Sequence, residues 1–297
     1  MVIPSLSEVS FTLNDLPDLP RPERVLMTSP EHFDVQYVIN AHMAGNVGSV
    51  DREQAQRQWD VLKSTYESCG LEVEPISGQA GLPDMVFCAN QTLPFVSVDG
   101  NTKGVVLSNM FAAERAKEVQ FFADHFSSKG YEIIRDLSVG ETEFEGMGDA
   151  LWHIGKRLLW GGYGFRTDLS AYKRISEQLD VPILALNLED PEFYHLDTCM
   201  CLLDADTVLI FPGAFDWAGL ELIHHFFPNV LEAPEDEARG LFACNAHCPD
   251  GRHVIIQKGC TKTNALLTEA GFQVVEVDTS EYLKSGGSVF CMKLMIW

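Results

Sequence analysis

The chain repeats one pattern five times: a helix-like segment of mixed polar and apolar residues, a short break often at glycine, then a brief β-rich strand ending near an acid or proline. The helix-like segments run over 52–68, 112–128, 168–179, 216–227 and 261–270, and the strands that follow cover 70–76, 130–136, 181–186, 229–234 and 271–277. Further apolar strand candidates lie between them at 24–28, 103–107, 157–160, 207–211 and 253–257, so each unit reads as strands around one helix. Copies roughly 40 to 60 residues apart fall near or just above the periods of repeat architectures, and a ring of five units is the natural expectation. A doubly wound open sheet would use the same alternation. No Gly-x-Gly-x-x-Gly stands at a strand-to-helix junction, which removes the usual argument for a dinucleotide without excluding that fold. No Pro/Ser-rich linker divides the chain, so one domain over 1–297 is expected.

Acidic residues outnumber basic ones by 43 to 21, giving a formal net charge of −22. That balance argues against nucleic acid and anionic membrane surfaces as partners, and it favours a cationic small molecule. The eight cysteines are irregularly spaced, unlike the dense framework of a small secreted domain, and read as reduced thiols. The N-terminal residues lack a basic segment followed by an apolar one, and no apolar run approaches the ~18 residues of a membrane span. A soluble, cytoplasmic protein is expected, with homo-oligomerisation left open.

Four stretches outside the repeated helices and strands place polar residues in apolar surroundings: 33–40, 84–90, 144–150 and 194–201. In the last, alternation puts His195 and Asp197 on one face of a strand, where both can address one ligand. In Glu145-Gly-x-Gly-Asp149, glycines allow a tight turn that brings a carboxylate close to a bound group. Near the end of the chain, Ser285-Gly-Gly-Ser-Val-Phe-Cys291 leads into an apolar run, so the Cys291 thiol is expected at the end of a buried strand beside a loop. A free cysteine is more often a small core hydrophobe, and a lone His-x-Asp is more often a solvated strand edge. Cys244-Asn-Ala-His247-Cys248 with His253, and Cys199 and Cys201 elsewhere, offer soft ligands, but their spacing does not fit zinc knuckles and no metal is expected.

Taken in order, Phe33-Asp-Val-x-Tyr-x-Ile-Asn40, Phe144-Glu-Gly-x-Gly-Asp149, His195-Leu-Asp197 and Gly286-Gly-x-x-x-Cys-Met292 resemble the guanidino-group-modifying superfamily. That superfamily contains arginine deiminases, dimethylarginine dimethylaminohydrolases, amidinotransferases and arginine dihydrolases. The resemblance covers nearly the whole chain and implies a five-bladed α/β propeller with pseudo-fivefold symmetry. It implies Cys291 as nucleophile, His195 as general acid and base, Glu145 as the carboxylate that holds and orients the guanidinium, and Asp197 as a second guanidinium ligand. Arg115 and Arg166 match positions that bind the substrate α-carboxylate, a task suited to the planar guanidinium fork. No cofactor is implied.

Asn90 stands where deiminases and amidinotransferases typically carry Asp, and here it resembles the arginine dihydrolases, which take arginine past citrulline to ornithine, carbon dioxide and ammonia. An amide, both donor and acceptor, suits a neutral ureido group better than an anion does. Asn40 matches a second asparagine that dihydrolases use in the later step. The chain departs from the pattern at Ala41-His42-Met43, where Pro is expected after the asparagine, and at Cys88, where Thr is common. An arginine deiminase or dimethylarginine dimethylaminohydrolase stopping at citrulline, or an amidinotransferase, is the alternative enzyme. The same fold also serves a ribosome-binding initiation factor, so a binding role without chemistry is the alternative from another class.

Overall fold

A computed structural model describes residues 1–135 and 142–297. The second sequence unit was drawn to Asp136, which lies outside the described residues. Helices form over Arg52–Ser68, Glu118–Ser128, Leu169–Leu179, Trp217–Phe226 and Thr261–Glu269, one in each repeated segment. The first shows why: Asp51 caps it by accepting from the Gln54 amide, Ala55, Trp59, Leu62 and Tyr66 recur on its buried face, and Gly70 at φ +86° turns the chain out of it. The second helix starts at Glu118, six residues after the expected Ala112. Residues 112–117 form turns instead, with the Arg115 amide bonded to the Ala112 carbonyl, and Arg115 and Glu118 are ion-paired in the interior.

Each helix connects two parallel strands, as a parallel pairing requires. The pairs are Arg24–Thr28 with Glu72–Ile76, Lys103–Leu107 with Glu132–Ile134, Leu159–Tyr163 with Ile183–Asn187, Thr207–Ile210 with Asn229–Glu232, and His253–Gln257 with Gln273–Val277. A further strand lies antiparallel on the first strand of four pairs: Leu294–Ile296, Thr92–Val96, Ala150–Trp152 and Met200–Leu202. The fifth pair keeps only a bridge between His247 and Ile255 in that place. The described strands thus form five separate sheets rather than one open doubly wound sheet, and Val2–Ile3 extends one of them.

Burial grades across most of the sheets, although Ile183–Asn187, covered by Val2–Ile3, is buried like its neighbours. Glu72–Ile76, Glu132–Ile134, Asn229–Glu232 and Gln273–Val277 are half-exposed, whereas Ala150–Trp152, Thr92–Val96 and Leu294–Ile296 are buried throughout. The antiparallel strands therefore lie innermost, and the polar motifs that lead into them arrive in the interior. No described helix is long and apolar enough to cross a membrane.

Candidate active site

Five side chains converge from equivalent places in the five sheets. Asn90, Glu145, His195, Asn245 and Cys291 each stand two to five residues ahead of an inner strand or, for Asn245, of the His247 bridge. Cys291 lies in a turn just before Leu294–Ile296, so the apolar run is the expected strand and the thiol sits at its mouth. Its loop is fixed by hydrogen bonds from the Phe290 amide to the Asn245 carbonyl and from the Ala89 amide to the Cys291 carbonyl. Gly286, at φ +84°, has no room for a side chain: a Cβ would meet the Tyr194 hydroxyl at 2.7 Å and Asn40 Oδ1 at 2.9 Å.

The Cys291 sulfur is 3.3 Å from Asp197 Oδ2 and 3.1 Å from Asn245 Nδ2. Burial, then the charge and hydrogen bond of Asp197, push the thiol well above its ordinary value. Burial likewise raises Asp197 to about 7 against the opposing pulls of Cys291, Lys293 and Asn245. Lys293 is fully buried, its ammonium 3.0 Å from the centre of the Phe290 ring with no hydrogen-bond partner, and burial lowers it to about 7.

His195 and Asp197 do not share a strand. His195 is extended, but Leu196–Cys199 form a short helix and the strand begins only at Met200. Asp149 explains the turn: its Oδ1 accepts from the Leu196 amide at 3.0 Å, satisfying a free donor at the helix start, while Thr167 holds its other oxygen at 2.7 Å. The alternation read from the sequence missed this buried cap. Both residues still reach the site, Asp197 towards Cys291 and His195 towards Glu145.

His195 Nε2 is 2.6 Å from Glu145 Oε2, and its Nδ1 is 3.4 Å from Asn90 Nδ2. Arg115 can only donate, and its Nη1 donates to Asn90 Oδ1 at 2.9 Å, so Asn90 must present its NH₂ to the imidazole. Nδ1 is then the acceptor, and the Nε2 proton faces Glu145. The other Glu145 oxygen accepts from the Phe111 amide at 3.0 Å. Burial opposes the Glu145 charge, but the hydrogen bond and charge of His195, then Arg166 and Arg115, hold it down to about 2.

Arg166 stacks over Tyr194 at 4.7 Å and approaches Phe111 at 5.5 Å, donating to Glu145 Oε2 at 3.3 Å and to the Ile39 carbonyl at 2.7 Å. Arg115 is buried, and its fork engages Glu118, the Asp84 and Phe87 carbonyls and Asn90. Asn40 caps the turn at 41–43, accepting from the His42 and Met43 amides, and its Nδ2 ties that turn to the Ser285 carbonyl at 3.0 Å. Asn40, Asn90, Arg115, Arg166, His195 and Cys291 all line one narrow cavity of about 20 Å³, with Glu145 and Asp197 in contact with His195 and Cys291 behind it.

Two residues of this site were not singled out in the sequence. Asp84 lines the same cavity, fully buried; Ser285 Oγ donates to its Oδ1 at 2.8 Å, and its Oδ2, though near the Tyr37 hydroxyl, forms no hydrogen bond. Asn245 touches the sulfur. A roomier cavity of about 90 Å³ lies between Trp152, Trp297 and Phe290, but its walls are mostly apolar and the convergent charged groups are absent from it. Among the candidate metal ligands, His247 pairs with Ile255 and faces the Tyr66 hydroxyl, His253 pairs with Asp250 at 2.6 Å, and no group of three described His, Cys, Asp or Glu residues is placed to hold an ion.

Residues 29–297 match the family described as N,N dimethylarginine dimethylhydrolase, eukaryotic. The chain is 38% identical over 278 residues to the bifunctional arginine dihydrolase/ornithine cyclodeaminase ArgZ of Synechocystis sp., covering 92% of this chain but only 37% of ArgZ. It is 40% identical over 277 residues to the N(G),N(G)-dimethylarginine dimethylaminohydrolase of Mycobacterium tuberculosis, covering 93% of this chain and 87% of that protein. The crystal structure of the N-terminal domain of ArgZ bound to substrate superposes with a TM-score of 0.84 at 37% identity, over 91% of this chain and 97% of that one.

Proposed function

We propose that this chain, which belongs to the dimethylarginine dimethylhydrolase family, is a cysteine-dependent amidine hydrolase that converts arginine through citrulline to ornithine, carbon dioxide and ammonia. The observation that carries the reading is the Asp197 carboxylate 3.3 Å from the Cys291 sulfur. When ionised, its negative charge disfavours the thiolate, so the nucleophile is restrained until N–H donors of a substrate engage Asp197. A guanidinium supplies both those donors and a compensating charge, and a ureido group supplies the donors alone. The chain's net charge of −22 draws the same kind of substrate.

In this reading Asp197 and Glu145 hold the guanidinium, the Cys291 proton passes to His195 to make the imidazolium, and the thiolate attacks the central carbon. The departing nitrogen takes a proton from His195 and leaves as ammonia, producing an S-alkylthiouronium on Cys291. Water gives its proton to His195, adds to that carbon, and expels the thiolate to release citrulline. A second attack on the retained ureido group, with Asn90 supplying both donor and acceptor, releases the second ammonia and leaves a thiocarbamate. Hydrolysis of that bond gives a carbamate, which breaks down to carbon dioxide and ornithine. Arg166, stacked at the pocket, takes the α-carboxylate. Arg115 lends one remaining Nη1 hydrogen and holds Asn90, Asp84 offers its unpaired oxygen to the α-ammonium, and Asn40 closes the pocket against the nucleophile loop.

We further read residues 1–297 as a single domain, its five sheets being blades of a pseudo-fivefold α/β propeller; the inner antiparallel strands and the equivalent placement of the five site residues support this. All eight cysteines are free, which suits a reducing cytoplasm. Purified protein given arginine is expected to yield ornithine and two ammonia per arginine by mass spectrometry and ammonia assay. Citrulline formed in equal amount to arginine consumed, with no ornithine, would refute the second step. The 40% identity to the mycobacterial relative supports a second reading, a dimethylarginine hydrolase, and turnover of dimethylarginine but not arginine would select it.

A further inference from the structure

We infer that Asn245 is a further catalytic residue of this site: it pins the loop that carries Cys291 and donates a hydrogen bond to the sulfur that favours its thiolate. The inference rests on the reading of Cys291 as the nucleophile.

The orientation of the Asn245 amide is fixed by its partners. Its Oδ1 faces the amides of Ser288 at 3.0 Å and Cys291 at 3.3 Å, which can only donate, and its Nδ2 faces the Asp197 carbonyl at 2.8 Å, which can only accept. A flipped amide would oppose like with like at all three contacts. The remaining Nδ2 hydrogen therefore points at Cys291 Sγ, 3.1 Å away. Asn245 is 1% exposed, so no water competes for these bonds. Its backbone is held as firmly, with its carbonyl accepting from Phe290 and its amide donating to Phe242. Phe242 has φ +52°, and it is one of only two described non-glycine residues in the left-handed region. Strain of this kind persists where the surroundings require one particular turn.

The two polar neighbours of the sulfur act in opposite senses. While Asp197 is ionised, its contact with the sulfur is a hydrogen bond only as long as the sulfur carries its proton. The contact with Asn245 strengthens when the sulfur becomes an anion, because a charged acceptor makes the stronger bond. Once a substrate cation engages Asp197, Asn245 remains as a fixed donor to the thiolate, already aligned by the same loop that aligns the attack. The fifth sheet, whose inner strand has shrunk to the His247 bridge, thus serves the nucleophile, while the other sheets supply residues that face the substrate pocket.

The test compares Asn245→Asp, Asn245→Ala and Cys291→Ala in the full chain, by the pH dependence of kcat and KM for arginine. Asn245→Asp keeps an oxygen for both loop amides but replaces the donor to the sulfur and to the Asp197 carbonyl by an acceptor, so the pinning of the nucleophile loop survives while the electronic role is lost. Both Asn245 variants are expected to lose about ten- to hundred-fold in kcat, with the acid limb of the kcat profile moving up by roughly one to two pH units and KM changing less than about threefold. An acid limb that stays in place in Asn245→Asp, whether or not the plateau falls, overturns the inference and leaves Asn245 a structural residue. Turnover by Cys291→Ala would instead overturn the nucleophile reading itself, so the two failures are told apart.

Discussion

Replacing Asp197 by asparagine is expected to stabilise the fold progressively as pH rises, while removing activity. Asp197 ordinarily ionises near 3.8, and burial raises it to about 7 in the folded protein. Below pH 3.8 the carboxyl is protonated in both states and carries no penalty. As pH climbs towards 7 the unfolded chain gains by ionising while the folded chain does not, and above 7 the folded state bears the full cost of a buried anion. A rise from 3.8 to about 7 at about 1.4 kcal/mol per pH unit sets an upper limit of roughly 4 kcal/mol, with the opposing pull of Lys293 already included. An asparagine NH₂ placed at the unpaired Oδ1 would lack an acceptor and cost about 1–3 kcal/mol at every pH, so the slope is the diagnostic quantity. Urea unfolding of both proteins between about pH 4 and pH 8 should show the variant gaining on the parent by about 1.4 kcal/mol per pH unit up to neutrality, then levelling. A difference that does not vary with pH would refute the raised ionisation of the buried Asp197 carboxyl.

Asn90→Asp removes the NH₂ that faces His195 Nδ1 at 3.4 Å and sets a carboxylate there, drawing the imidazole proton to Nδ1 and away from Glu145. Citrulline should accumulate and the ornithine-to-citrulline ratio fall by at least about tenfold, equivalent to roughly 1.4 kcal/mol on the second step; an unchanged ratio by chromatography contradicts the role given to Asn90. Gly148→Ala would bring a Cβ to 2.2 Å from Asn90 Nδ2, which is the end of a side chain and can move, and to 3.6 Å from the His195 ring. Thermal unfolding should therefore change by only about 1 kcal/mol, while ornithine formation drops as it does in Asn90→Asp. Large destabilisation with the product ratio unaltered would show that Asn90 has no freedom to yield.

The five long helices were legible because the signals that make them are local: an amphipathic period, a cap such as Asp51, a glycine break such as Gly70. Most inner strands were not, the apolar run that becomes Leu294–Ile296 excepted. Ala150–Trp152 and Met200–Leu202 are three residues long and almost wholly buried, so they carry no alternation of polar and apolar residues to read. The same blindness misplaced His195 and Asp197 on a strand, because the cap that turns Leu196–Cys199 into a helix comes from Asp149, far away in sequence. It also began the second helix at Ala112, since an arginine among helix-forming residues gives no sign that it will be drawn inward to hold Asn90.

Asn245 and Asp84 were hidden for a different reason. Each sits among apolar neighbours with no partner nearby in sequence, and only the alignment of the sheets reveals that Asn245 occupies the place held elsewhere by Asn90, Glu145, His195 and Cys291. That equivalence has a chemical consequence. If each unit delivers one side chain to a common centre at a similar distance from its inner strand, changing the residue at one such place alters one interaction and leaves the other four positioned. An amide in place of a carboxylate at residue 90 is a change of this kind: it exchanges one charge for a donor and sets the proton position on His195, while Cys291 and Asn245 keep their contacts. One scaffold can then stop at a single C–N bond or continue to a second through one substitution, and the product ratio of Asn90→Asp measures how far that independence holds.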